Sequence, residues 1–359
     1  MTFENDNYLT RQYQVSSIDL EGKVDELLQL AVPPTSANRE LYREMLLTVA
    51  RMAEDDRNRW DAKIMMQTLR EMEASFSLLE RFKRRRKVTV FGSARTAPDH
   101  PLYQQAKELG EILARHNLMV ITGAGGGIMA AAHEGAGLEN SLGLNIALPF
   151  EQGANETVLG SGNLLTFHFF FLRKLFFVKE ADALVLCPGG FGTLDEALEV
   201  LTLMQTGKSP IVPVVLLDQE GGTYWDKALE FMREELVDKN YILPSDLGLM
   251  RQVRTPDEAG LEIARFYRNF HSTRWFQDIF VMRMNRPLNT SAMDMLHKEF
   301  LDLCVNGGYT QVPYCAEIHN EPEFCNQLRL EFVFNNRDFG RLREIIDFIN
   351  LPQNWESNN

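Results

Sequence analysis

The chain has 359 residues, 45% hydrophobic and 24% charged, the balance of an ordinary globular protein large enough for two or three domains. Its 37 Lys and Arg residues against 50 Asp and Glu leave a formal net charge of −13, which argues against nonspecific binding to nucleic acid or to an anionic membrane. Cys187, Cys304, Cys315 and Cys325 have no metal-ligand spacing and follow no secretory signal, so reduced thiols and a cytoplasmic location are expected.

In chain order, residues 1 to 16 are polar and are expected to be poorly ordered. Helices are predicted over Ile18 to Ala31, Ala37 to Asp55 and Arg59 to Arg81. In the second of these Leu41, Met45, Leu46, Val49 and Met52 have the spacing of a buried face. A basic run, Arg81 to Lys87, follows. Leading straight into a strand in an acidic protein, it reads as a solvated helix end rather than a nucleic-acid patch.

Strands are then predicted at Lys87 to Phe91, Leu118 to Thr122 and Leu142 to Leu148, with helices near Leu102 to His116 and Met129 to Gly137. Glycine turns follow the first two strands, Gly92-Ser93-Ala94-Arg95 and Gly123 to Gly127. Strands and helices alternating through short loops predict an α/β fold, a doubly wound, mostly parallel, Rossmann-like sheet. A dinucleotide site is disfavoured, because Gly123, Gly125, Gly126 and Gly127 fit G-x-G-x-x-G poorly and no acidic residue follows at the usual distance.

The central stretch is residues 166 to 199. The window Phe167 to Val178 is apolar but too short to span a bilayer, and it contains Arg173 and Lys174, so no membrane association is expected and a buried helix is. A strand at Ala183 to Cys187 leads into Pro188-Gly189-Gly190-Phe191-Gly192-Thr193-Leu194-Asp195-Glu196 and a helix from Leu194 to Gln205. Gly189, Gly190 and Gly192 are read as positions free to take positive φ, and Thr193 as the N-cap of a helix whose first N–H groups seat an anion, best a phosphate. Glu196 falls in the first helical turn. A plain tight turn is the structural alternative.

Beyond it, a strand is predicted at Pro210 to Asp218, and helices at Tyr224 to Asp238 and after Thr255. Residues 278–350 read as strands at Ile279 to Met284, Tyr309 to Ile318 and Leu328 to Phe334, with helices at Ser291 to Cys304 and Phe339 to Phe348. The expected domains are a helical N-terminal extension (1–84), a Rossmann-like nucleotide-handling core (85–272) and a small C-terminal α+β module (273–359).

Arg173-Lys174 followed by PGGFGTLDE resembles the PGGxGTxxE signature of the Lonely Guy family of phosphoribohydrolases, often mislabelled as lysine decarboxylases. The 23 residues from Arg173 to Glu196 also resemble that family's interval. The resemblance covers roughly residues 85 to 270. Thr122 to Ala136 is similar to the TGGGPGIMEAANRGA of long-chain bacterial members; of its departures two matter, Gly126 in place of a proline and Ala130 in place of a glutamate.

The resemblance implies hydrolysis of the N-glycosidic bond of a nucleoside 5′-monophosphate, with AMP or a cytokinin riboside monophosphate as models. It implies no metal or organic cofactor, and a homodimer or larger homo-oligomer. Arg173 and Glu196 are the implied catalytic pair. Gly92, Ser93, Gly123, Gly125, Gly126, Gly127, Lys174, Gly189, Gly190, Gly192 and Thr193 are the implied substrate and phosphate contacts. A noncatalytic nucleotide sensor using the same pocket is the alternative. So is a decarboxylase carrying pyridoxal phosphate, though no stretch announces its lysine. His168 is expected to be a hydrogen-bonded core histidine, Phe169, Phe170 and Phe171 chiefly core, and Asp195 solvated.

Overall fold

The structure, a computed structural model, describes residues 18–148 and 153–356. The polar stretch 1–16 lies outside the described residues. The chain divides between Arg70 and Glu71 into two compact units.

The first unit holds α1 (Ile18–Ala31), α2 (Arg39–Glu54) and the start of α3 (Arg59–Glu80). Val24 and Leu28 of α1 meet Leu47 of α2 in a small core. Arg39 donates to the carbonyls of Leu28 (3.2 Å) and Val32 (3.0 Å), closing the end of α1. The expected buried face is corrected here: Leu46 packs inward as expected, but Leu41, Met45 and Val49 are exposed, and α2 presents Leu47 and Ala50 instead. The apolar residues of α2 run around much of its circumference, and α1 covers one strip of it.

The second unit begins with the rest of α3 and continues through β1 (Lys87–Phe91), α4 (Pro101–Arg115), β2 (Met119–Thr122), α5 (Ile128–Ala136) and β3 (Ser141–Ile146). Then come β4 (Leu164–Phe167), α6 (Phe170–Glu180), β5 (Ala183–Leu186), α7 (Phe191–Gln205) and β6 (Val214–Leu217). The core closes with α8 (Tyr224–Phe231), which runs into a π-helical turn at Met232–Val237, then β7 (Met250–Val253) and α9 (Pro256–Phe266). A capping box between Thr255 and Glu258, with Pro256 at the first helical position, starts α9 as its sequence dictates.

The seven-stranded sheet has the order β4-β3-β2-β1-β5-β6-β7, and every pairing in it is parallel. Strict alternation divides each central strand between two cores. Val88, Val90, Val120, Val185, Val215 and Leu217 face Leu109 and Leu113 of α4, Ile128 of α5 and Ile263 of α9. Met119, Ile121, Leu184, Leu186, Val214 and Leu216 face Phe176 of α6 and Val200 and Met204 of α7. Both faces are covered, which is why these strands read as unbroken apolar runs.

The C-terminal part holds β8 (Phe270–Phe276), β9 (Ile279–Met284), α10 (Thr290–Glu299), β10 (Thr310–Val312), α11 (Ala316–His319), β11 (Leu328–Phe332) and α12 (Phe339–Ile349). Its antiparallel sheet, ordered β10-β11-β9-β8, has four strands, β8 being added to the three expected. Leu342, Ile345 and Ile346 of α12 join the same core as α6 and α7.

Three strands were not foreseen, β8 (Phe270–Phe276) and two short ones in the parallel sheet. Leu164–Phe167 merges in sequence with the apolar run that feeds α6, and Met250–Val253 is a polar edge strand. The strand expected at Pro210 to Asp218 is confined to Val214–Leu217, since Pro210 and Pro213 carry no N–H for a ladder.

Candidate functional site

β1, β2 and β5 lie side by side at the centre of the sheet, and the turn at the carboxyl end of each carries a glycine motif. The backbone locks these turns together. Ser93 donates its N–H to Pro188 O (3.1 Å), and Ile128 donates to Ser93 O (3.0 Å). Gly127 takes φ +60°, and a Cβ there would collide with Ser93 O and with Ala94. A Cβ at Gly189 would collide with Thr193 Oγ1 and press on Ser93 N.

The eleven implied contact positions therefore fall into groups. Gly92, packed against Ile128, together with Ser93, Gly127, Gly189 and Thr193, is used to join one turn to another. Gly123 and Gly125 lie against Met129, and Gly123 is also close to Arg173 Nη1. Gly126, Gly190 and Gly192 are exposed, and Lys174 belongs to a charged cluster on the neighbouring helix.

Two readings of the PGGFGT turn are corrected. Helix α7 starts at Phe191, three residues earlier than expected, with Gly190 as its N-cap, and Thr193 sits buried inside the first turn. Gly189, Gly190 and Gly192 all have negative φ. The glycines serve close approach rather than a left-handed turn. The first intrahelical acceptor is Gly190 O, which takes bonds from Thr193 N (3.1 Å) and Leu194 N (3.2 Å), so the N–H groups of Phe191 and Gly192 lie ahead of the helical ladder. With Phe191 94% exposed, this helix start faces open space.

Next to it lies the charged cluster. Lys174 Nζ reaches Asp195 Oδ2 (2.8 Å), Glu199 Oε2 (2.9 Å) and Glu196 Oε1 (3.3 Å). Asp195 is thus ion-paired as well as exposed. Glu196 is buried at 3% exposure, and its Oε2 has no hydrogen-bond partner among the described residues. Burial pushes its carboxyl above the usual range, Lys174 and Arg173 pull it back, and Glu199 adds to the rise. Burial works against the Lys174 ammonium, but Asp195, Glu199 and Glu196 outweigh it and hold its pKa above the ordinary lysine value. The Arg173 guanidinium lies 5.0 Å from the Phe170 ring and 5.5 Å from that of Phe177. Arg173, Lys174, Glu196 and the glycine turns are gathered in one place.

Three residues that hold the site were not singled out in the sequence. His133, fully buried, is within hydrogen-bonding distance of Thr122 Oγ1 (3.2 Å) and of Asn155 Nδ2 (3.3 Å). Asn155 N donates to Ala124 O (2.7 Å) and its amide to Gly125 O (3.1 Å), pinning the second turn. Tyr224 donates its hydroxyl to Gly189 O (2.8 Å). The signal was faint: Asn155 lies about thirty residues from the turn it holds, beyond any local pattern.

Burial lowers the His133 pKa to about 4. The unfolded chain takes up this proton below its ordinary value of 6.5, while the folded chain does so only near 4, so stability falls as pH drops through that window. The unfolding free energy is expected to be about 2 kcal/mol lower at pH 5 than at pH 7 from this residue. Urea titrations of wild type and His133→Gln at both pH values check it, the variant lacking that part of the slope.

Other expectations shift. His168 is hydrogen-bonded as foreseen, Nδ1 to Glu71 Oε1 at 2.6 Å, but its ring is more than half exposed rather than in the core. Phe170 and Phe171 are exposed, and Phe171 stacks on the half-buried Phe169 at 5.6 Å. The apolar window they share is a helix with one face outward. The basic run is only partly a solvated helix end: Lys83 and Arg84 are exposed, whereas Lys87 is buried in β1 and paired with Glu180 at 3.0 Å. Among the described residues no three His, Cys, Asp or Glu side chains are placed to hold a metal ion, and no helix is long and apolar enough to cross a membrane.

Fold and turns together define an open α/β protein with its polar site at the carboxyl ends of adjacent parallel strands. Residues 126–263 match a family model described as possible lysine decarboxylase. A rice (Oryza sativa subsp. japonica) protein named probable cytokinin riboside 5′-monophosphate phosphoribohydrolase LOGL6 is 30% identical over 192 residues, 52% of this chain and 72% of that one. The Arabidopsis thaliana phosphoribohydrolase LOG7 is 33% identical over 172 residues, 46% of this chain and 73% of its own. The solved structure of TM1055 aligns with 50% of this chain and 99% of its own at 25% identity, with a TM-score of 0.38. The chain belongs to the Lonely Guy family of phosphoribohydrolases.

Proposed function

We propose that this protein hydrolyses the N-glycosidic bond of a nucleoside 5′-monophosphate, releasing the free base and ribose 5-phosphate. The relatives are named phosphoribohydrolases, so the chain is a hydrolase acting on N-glycosyl bonds; the nucleotide it takes is the proposal. The observation that carries it is Glu196: a buried carboxylate with one unpartnered oxygen, beside Arg173 and behind an open helix start.

In this reading the N–H groups at Gly190, Phe191 and Gly192 seat the phosphate at the positive end of α7. Arg173, whose fork matches two phosphate oxygens, fixes the phosphate or ribose. Bond breaking between C1′ and the base nitrogen leaves positive charge on the sugar, which Glu196 stabilises. Water adds through oxygen to C1′ and its proton passes to Glu196; a proton returned from Glu196 to the departing base nitrogen lets the base leave neutral and regenerates the carboxylate. Lys174 keeps Glu196 ionised. Gly92, Ser93, Gly123, Gly125, Gly127, Gly189 and Thr193 hold the turns in register, while Gly126 stays open to the substrate.

A decarboxylase is poorly served by the same geometry. An amine that forms a Schiff base needs a lowered pKa, and three carboxylates hold Lys174 protonated.

Incubation with AMP, GMP, CMP, UMP and isopentenyl-AMP, with chromatography for free base, tests the proposal. Release from at least one monophosphate, at a far higher kcat/KM than from its nucleoside, is expected; tight binding without release would replace the enzyme by a sensor. Because Lys174 draws the Glu196 pKa down, Lys174→Met is expected to raise it further and move the acid limb of kcat/KM to higher pH. The loss would be on the order of tenfold at pH 6 and smaller at pH 8. An unmoved limb would remove Lys174 from this role. The exposed Phe171, Leu175 and Leu198 on α6 and α7 are the surface we assign to a homo-oligomer contact, to be checked by light scattering of wild type and Leu198→Glu.

A further inference from the structure

A cavity of about 850 Å³ lies at the other end of the sheet, among the residues that precede β1, β5 and β6 and the start of β8. Its lining carries eight lysine and arginine side chains against one carboxylate, Asp182, in a protein whose net charge is −13. Most of the cations are satisfied locally: Lys83 by Glu80 (3.1 Å), Arg86 by Asp182 (3.2 Å), Lys87 and Lys179 by Glu180, and Arg283 by Glu321. Arg84 and Lys208 are exposed and have no ion-pair partner among the described residues. Ser209 Oγ, also in the wall, is buried without a hydrogen-bond partner.

We propose that this cavity is a second ligand site, built for a small molecule carrying several phosphates. The volume is that of a small-molecule site, which spans roughly 300–1,000 Å³. The uncompensated cations come from separate segments, Arg84 ahead of β1 and Lys208 after α7, so they converge on one occupant rather than forming a track for a polymer. His271, in the same wall, has its pKa lowered to about 4 by burial first and then by the charges of Arg86 and Arg283. The aromatic faces are already used: the Arg86 guanidinium lies 3.6 Å above the Tyr267 ring and that of Arg283 4.3 Å from Phe324. Recognition therefore rests on phosphates and not on a stacked base.

The site is joined to the catalytic one through two helices. Val178 and Lys179 of α6 line the cavity a turn and a half beyond Arg173 and Lys174, and Val200 of α7 lines it one turn beyond Glu196. An occupant thus presses on both helices that carry the polar site, and it regulates hydrolysis if the function proposed above holds.

The binding test needs no activity. Isothermal titration of the full chain with inorganic tripolyphosphate at about 0.15 M salt is expected to give one site, with ATP bound about equally and orthophosphate at least tenfold more weakly. Arg84→Ala/Lys208→Ala, both exposed positions, is expected to weaken tripolyphosphate binding at least tenfold with an unchanged melting temperature, whereas Arg173→Ala leaves it intact. No binding to wild type, equal binding of orthophosphate, loss only in Arg173→Ala, or tighter binding of an RNA oligonucleotide through Arg84 and Lys208 would each overturn the proposal. With binding established, a change in AMP hydrolysis on adding tripolyphosphate, absent in the double variant, reports the coupling; unchanged hydrolysis would overturn the regulatory part alone.

Discussion

Glu196→Gln is expected to lower kcat/KM for the preferred nucleoside monophosphate by about 10²- to 10⁴-fold, the usual contribution of a positioned acid–base group. Glutamine keeps the shape of the side chain, and Lys174 retains Asp195 and Glu199, so the first turn of α7 stays in place. What is lost is the charge that meets the developing cation and the acceptor for the water proton. KM is expected to change little, because the phosphate seat lies on backbone N–H groups at the start of the same helix. Steady-state kinetics with a coupled assay for free base measure both constants. A variant hydrolysing at the wild-type rate would move the chemistry to another carboxylate, with Asp195 and Glu199 next in line.

Arg173→Ala is expected to cost about 10²-fold in kcat/KM for a monophosphate, close to 3 kcal/mol of transition-state stabilisation. The loss should be nearly absent for the corresponding nucleoside, which offers no phosphate to the guanidinium. Arg173→Lys is expected to recover only part of it, since an ammonium makes one contact where the fork makes two. The side chain also stands beside Phe170 and Phe177, so melting temperatures of the variants separate lost packing from lost contact. Equal losses on nucleotide and nucleoside would place Arg173 at the base or the ring instead of the phosphate.

The parallel core was legible because its strands are buried on both faces and its turns are marked by glycine. Residues such as Val88, Val120 and Val185 announce their environment without help from distant parts of the chain. The edge strands were not, since Met-Arg-Gln-Val at β7 owes its conformation to the neighbour it pairs with, β6. In the site, the cluster of Arg173, Lys174 and Glu196 followed from the motif and its spacing. Sequence alone missed which glycines are consumed in packing. Gly127 faces the carbonyls of the first turn and Gly189 faces Thr193 and the Ser93 N–H, a tertiary fact, while Gly190 and Gly192 face open space. Asn155 and Tyr224 were invisible for the same reason, each holding a turn distant in the chain. The basic run before β1 was misread because composition gives its charge but not the cavity that its residues share with Lys208 and Arg283.

Hydrolysis here requires a phosphate seat and a carboxylate that serve one ribose. A crystal structure of Glu196→Gln soaked with AMP measures this most directly. Phosphate oxygens are expected within hydrogen-bond distance of the N–H groups at Gly190 to Gly192, with Arg173 on the phosphate or ribose and residue 196 facing C1′. A phosphate bound away from the start of α7, or a ribose whose C1′ points away from residue 196, would contradict it.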